Sequence, residues 1–172
     1  NMKISKKMAK ALNEQISWES YASNYYLAAA TWCENTGYEG AAKFFYNQSD
    51  EERQHMLKFI HYLNSVNSLP EISAVKQPPK NLKSLEAICK IALQNEQTVT
   101  KLIHKIVDLA QKENDHNTYN FLQWFVTEQV EEENQFETIL QKFVLLGRDK
   151  LAIHEIDKIL GAIPQQAPEE NQ

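Results

Sequence analysis

The 172 residues carry 18 Lys and Arg against 23 Asp and Glu, a net charge of −5, which argues against a nucleic-acid partner and gives an acidic shell suited to attracting cations. With 42% hydrophobic residues, the chain can bury one real core and does not require two. Only four glycines and five prolines occur, and the abundance of Leu, Ala, Ile, Lys, Glu and Gln favours long helices over a turn-rich β fold. The expected fold class is all-α.

Cys33 and Cys89 are far apart and make no CxxC. Neither a leader nor a long apolar run is read, so the expected setting is a reducing cytoplasm with no membrane association. Asn1 ahead of Met2 reads as an extraneous leading residue.

Helix A is predicted over about 5–35, from a Ser5 cap through Met8, Leu12, Ala22, Ala29 and Cys33 to the break at Asn35-Thr36-Gly37. Glu19 is in step with Leu12, Gln15, Ala22 and Tyr26, which points a carboxylate into the core. Helix B, over about 38–66, carries Phe45, Gln48, Glu52, His55, Phe59 and Tyr62 on one stripe. The short break makes A and B antiparallel neighbours. Residues 67–83 contain Pro70, Pro78 and Pro79 and no helical stripe. A connection of roughly 15 extended residues spans about 50 Å, enough to run the length of a helix and start the next one parallel to B.

Ser84 caps helix C, over about 84–113, where Ile88, Ala92, Glu96, Val99, Ile103 and Ile106 are in register. Helix D, over about 117–146, places Phe121, Phe125, Gln129, Glu132, Phe136, Ile139 and Phe143 on one stripe and stops at Gly147. A last amphipathic segment, about 150–161, with Leu151, Ile153, Ile156, Ile159 and Leu160, is too short to be stable unless it docks. A flexible tail follows over 162–172. The whole of 1–172 is expected to be a single domain: a four-helix bundle with one long crossover between B and C, plus a short fifth helix.

Glu52-x-x-His55 sets a carboxylate and an imidazole one turn apart on a buried stripe. An unpaired buried carboxylate costs several kcal/mol or more, so it calls for a cation, a shifted pKa or a metal. One ExxH is weak, because structural ion pairs explain most of them. Four inward carboxylates with one His, however, can converge at mid-bundle: Glu19, Glu52, His55, Glu96, Gln129 and Glu132, with no inward Lys or Arg among them. Oxygen-rich ligands with one imidazole suit iron or manganese, and a bridging Glu would hold two ions close together.

These residues resemble the ferritin family, specifically its bacterial non-haem members, over nearly the whole chain. The likeness runs through Leu-Asn-Glu-Gln at 12–15 with Glu19 and Tyr26, Glu51-Glu52-x-x-His55, Glu96-Gln97, and Phe-Leu-Gln-Trp at 121–124 followed by Glu128-Gln129-x-Glu131-Glu132. The resemblance implies a ferroxidase centre in which Glu19, Glu52 and His55 hold the first iron, Glu52 bridges, and Glu96 holds the second with Gln129 close by. It implies a third iron site from Glu51, Glu128, Glu131 and Glu132, and a redox-active Tyr26 beside the centre. It further implies Fe2+ and O2 (or peroxide) as partners, a mineral store inside a 24-subunit shell, and a fifth helix docked around the four-fold axes.

Departures from neighbouring families sharpen that expectation. Gln129-x-x-Glu132 stands where bacterioferritins and di-iron oxygenases repeat ExxH, and Arg53 stands where bacterioferritins place a haem-ligating Met, so no haem is expected. Two isolated cysteines cannot build the iron module that rubrerythrins append. Tyr119 and Leu122 occupy the region where animal ferritins line a three-fold pore with acids, which puts iron entry by that route in doubt.

Read by the residues alone, His61, His104, His116 and His154 are surface or structural, and Trp18, Trp32 and Trp124 are packing groups. Tyr26 on a core stripe ordinarily just hydrogen-bonds a neighbour, and Glu51, Glu128 and Glu131 equally suit a solvated face. The competing functions are a di-iron or di-manganese redox enzyme that stores nothing and a metal-free helical interaction module.

Overall fold

The computed structural model describes residues 1 and 3–167 and contains five helices: α1 (Lys6–Thr36), α2 (Glu39–Ser65), α3 (Leu85–Lys112), α4 (His116–Leu146) and α5 (Lys150–Gly161). Short side chains start most of them. Ser5 accepts from the Met8 amide, Ser84 from Ala87, Asp115 from Thr118 and Asp149 from Ala152, each satisfying one of the amides a helix start leaves open. Gly37, at φ 94, takes the left-handed turn that ends α1, and its short break sends α2 back along it.

The side-chain clusters give the topology. One apolar cluster joins Tyr25–Cys33 of α1, Ala41–Phe45 of α2, Leu85–Ala92 of α3 and Phe136–Phe143 of α4. A second joins Met8–Ile16, Phe59–Leu63, Val99–Ala110 and Leu122–Phe125. Helices α2 and α3 both run from the first cluster to the second, and α1 and α4 run the other way. The parallel pair α2 and α3 is what the long 66–84 connection makes possible, and the bundle is the expected all-α, ferritin-like arrangement with a short fifth helix. Among the described residues no helix is long and apolar enough to cross a membrane.

Between the two apolar clusters lies a buried polar slab, built of Gln15, Glu19, Gln48, Glu52, His55, Glu96, Gln129 and Glu132, none more than 3% exposed. Each of α1, α2, α3 and α4 passes through it once, near mid-length.

Helix α5 finds the docking its short amphipathic stripe requires on its own chain. Ile156 and Leu160 are fully buried in the first apolar cluster of their own chain, because α5 folds back on the start of α2. Tyr38 gives α2 no side-chain cap. Asp157 supplies it instead, its Oδ1 accepting from the Ala41 amide at 2.7 Å. The contact is backbone to backbone: a Cβ on Gly40 would lie 2.1 Å from the Asp157 carbonyl oxygen. Of the tail expected to be flexible, 162–167 is described, whereas 168–172, like Met2, lies outside the described residues.

Candidate metal centre

Helical phase sets the centre. Spacings of three, four and seven residues keep side chains on one face, so Gln15, Glu19 and Tyr26 of α1 share the inward face with Gln48, Glu52 and His55 of α2. Helix α3 adds Glu96, and α4 adds Glu128, Gln129 and Glu132.

His55 is the hub. Its Nδ1 lies 3.2 Å from Glu52 Oε2 and 3.8 Å from Glu19 Oε2, while Nε2 lies 3.8 Å from Glu128 Oε1. Three groups of side chains each bring ligand atoms within 4.8 Å of one another: Glu19, Glu52 and His55; His55, Glu128 and Glu132; and Glu52, Glu96 and Glu132. Glu52, His55 and Glu132 each belong to two groups, so the three positions share walls.

The electrostatics are those of crowded acids. Burial, then the charges of Glu96 and Glu19, pushes the Glu52 carboxyl well above the ordinary carboxylate range. Glu132 is pushed well up by burial and by Glu96, Glu51 and Glu128, with the Gln48 amide pulling the other way. Glu96 is raised by burial against the hydrogen bonds of Tyr26 and Gln129. No lysine or arginine pairs with these acids among the described residues; the ion-pair contacts of Glu19, Glu52 and Glu128 run to His55. Glu19 Oε2, Glu52 Oε1 and Glu128 Oε1 are buried without a hydrogen-bond donor, an arrangement that a dication would relieve. Hard carboxylate oxygens with one imidazole fit iron or manganese.

The structure separates the remaining expected residues. Gln129 directs its amide to the Glu96 main-chain oxygen and Oε2, both at 3.1 Å, which is a supporting contact. Tyr26 donates to Glu96 Oε1. Glu51 and Glu131 enter none of the three ligand groups and line a pocket of about 950 Å³ with His55, Glu128 and Trp124. Glu51 is buried and accepts from the Gln166 amide at 3.1 Å, whereas Glu131 is exposed. Sequence reasoning missed Gln48 and Gln15 as contributors, although both lay on the inward stripes. It also missed Thr100, which accepts from Gln129 and donates to Glu133.

A bundle of this connectivity around a mid-length, carboxylate-rich, single-histidine centre defines the ferritin-like class of helical proteins. The ferritin family model, described as a ferritin-like domain, matches residues 9–146. The chain is 41% identical over 164 residues to a probable bacterial non-heme ferritin-like protein of Haemophilus influenzae, covering 95% of this chain and 99% of that one. It is 40% identical to a bacterial non-heme ferritin of Campylobacter jejuni, covering 91% and 94% of the two chains. Among solved structures, an open pore ferritin of the archaeon Archaeoglobus fulgidus superposes with a TM-score of 0.90 at 38% identity, over 94% of this chain and 99% of that one. The chain belongs to the ferritin family.

Proposed function

We propose that the protein stores iron and is its own ferroxidase. The observation that carries this reading is the set of three overlapping ligand groups sharing Glu52, His55 and Glu132. A single structural ion pair needs one such group; a site that takes two substrate ions and passes them on needs adjoining ones.

In this reading Glu19, Glu52 and His55 hold one Fe2+, and Glu96 holds a second with Glu52 shared between them. Each Fe2+ gives one electron to O2, which with two protons leaves as H2O2. Carboxylates favour the more highly charged Fe3+, and Glu52, Glu96 and Glu132, all raised by burial, give up protons when the cations arrive. Glu128 and Glu132, backed by Glu51 and Glu131 at the pocket, form the third position through which ferric product leaves toward a mineral store.

The shell belongs to the same proposal: copies of the chain close into a hollow 24-subunit particle. Val144, Leu145 and Leu151 are each about three-quarters exposed at the α4–α5 corner, an apolar patch suited to burial between copies. The runner-up is a di-iron or di-manganese redox enzyme that stores nothing.

Adding Fe2+ without air, admitting air, and counting iron per chain after gel filtration separates these readings. Many irons in a very large particle support storage. Two irons or fewer in a small particle support the redox enzyme, and no iron supports a metal-free bundle.

A further inference from the structure

Gln15 and Gln48 are 1% and 2% exposed, and a buried amide costs free energy unless its donors and acceptors are used. Each is used on one carboxylate. Gln15 Nε2 donates to Glu19 Oε1 at 3.0 Å, while the other oxygen, Glu19 Oε2, has no donor and faces His55 Nδ1 at 3.8 Å. Gln48 Nε2 donates to Glu132 Oε2 at 3.1 Å. Glu132 belongs to two of the three ligand groups, so its orientation decides how two positions are furnished.

We propose that Gln15 and Gln48 are positioning residues: each amide ties down one oxygen of a ligand carboxylate, so that Glu19 and Glu132 meet an ion through the other oxygen alone. The inference rests on the metal-centre reading above.

The chemistry favours glutamine for this task. A lysine or arginine would hold a carboxylate equally well, but its charge would repel an arriving dication and neutralise the ligand. An amide orients the carboxylate and leaves its full negative charge for the metal. A carboxylate restricted to one oxygen is also easier to vacate than a chelating one, as a site that must release its product requires. Helix spacing makes the Gln15–Glu19 clamp local, at i and i+4, whereas the Gln48–Glu132 clamp joins α2 to α4 and holds the slab together across the bundle.

The test is anaerobic titration of the intact protein with Co2+, read by binding stoichiometry, affinity and visible absorption. The variants are Gln48→Met and Gln15→Met, which keep an unbranched apolar side chain of similar length and remove the donor. Outer partners of metal ligands typically tune affinity by about 10–100-fold. Each variant should change the affinity for one Co2+ by up to about that factor and lower the visible band intensity, because the freed carboxylate chelates and raises the coordination number.

Unchanged affinity and unchanged spectra in both variants overturn the clamp while leaving the centre in place. A parent protein that binds no Co2+ overturns the metal-centre reading and the clamp together. Gln15 sits on α1 and Gln48 on α2, so if one variant fails to fold the other decides. Loss of thermal stability without any spectral change marks a packing role and counts against positioning.

Discussion

Tyr26 donates its phenolic hydrogen to Glu96 Oε1 across 2.6 Å, so the side chain beside the candidate centre is tied to one of its carboxylates. The ring is immobilised between Phe45 and Phe136, with centroids 6.0 and 5.8 Å away and interplanar angles of 19° and 7°. Burial, followed by the charges of Glu96, Glu52 and Glu132, pushes the phenol pKa well up, which keeps Tyr26 protonated at neutral pH. A phenol that gave up an electron here could pass its proton straight to Glu96.

Tyr26→Phe removes only the hydroxyl. The fold and metal binding should survive at a cost of about 1–3 kcal/mol for a hydrogen bond to a charged group. Stopped-flow oxidation of two Fe2+ per chain should slow or change its intermediates. Superimposable traces for the two proteins would rule out a redox role and leave Tyr26 as a fixed hydrogen-bond donor.

Helical phase made the polar slab legible. Glu19, Glu52, His55, Glu96 and Glu132 occupy apolar positions in their repeats, where an ionisable residue is conspicuous, and Gln129 stands out through its spacing to Glu132 and the family likeness. Gln15 and Gln48 occupy the same phase without a formal charge, so they carry no comparable signal, and their partners lie on a helical neighbour or a different helix. Phase also could not separate Glu128, which is buried and faces His55, from Glu131, which is exposed. The docking of α5 was hidden for another reason: its apolar stripe demands a partner without saying whether that partner is the same chain or a second copy. What decides it is the close approach of Gly40 and Gly161, a tertiary fit that no periodicity announces.

That fit is testable at one atom. A Gly40→Ala Cβ would fall 2.1 Å from the Asp157 carbonyl oxygen and 2.9 Å from its carbon, and main-chain atoms cannot step aside alone. Helix α5 must shift, weakening the Asp157–Ala41 cap. The expected loss is about 1–3 kcal/mol, the usual range for overpacking, with faster amide exchange at Ala41. An unaltered melting temperature and unaltered exchange at Ala41 would mean that α5 does not rest on α2.

The tail offers a second, milder intervention. The Gln166 amide donates to Glu51 at 3.1 Å and residues 165–167 wall the pocket that reaches His55. A chain ending at Pro164 loses that wall, and residues 165–167 are exposed, so its melting temperature should match the parent's. Glu51 loses a hydrogen bond that lowers its pKa. The first two Fe2+ should be oxidised at the parent rate, and a second addition should be oxidised faster because ferric product clears sooner. Equal rates on both additions would show that the wall does not hinder transit.

The acids themselves give the clearest signature. Glu52, Glu96 and Glu132 all have carboxyl pKa values raised above 4.5, chiefly by burial. A raised carboxyl keeps its proton in the folded chain where the unfolded chain has lost it. Its stabilising contribution is therefore complete below the unfolded value and is lost as pH rises from about 4.5 through the folded pKa. Glu52→Gln removes one titrating acid at nearly constant volume. Above about pH 5, the metal-free variant should gain melting temperature relative to the metal-free parent, because the parent alone must hold a proton on Glu52 in the folded chain that the unfolded chain has lost. The same variant should lose fast oxidation of two Fe2+ per chain, since Glu52 serves two of the three ligand groups. A Glu52→Gln protein that is less stable than the parent at neutral pH, or that still oxidises two Fe2+ rapidly, would make Glu52 a member of a structural ion pair with His55 and sink the di-iron reading.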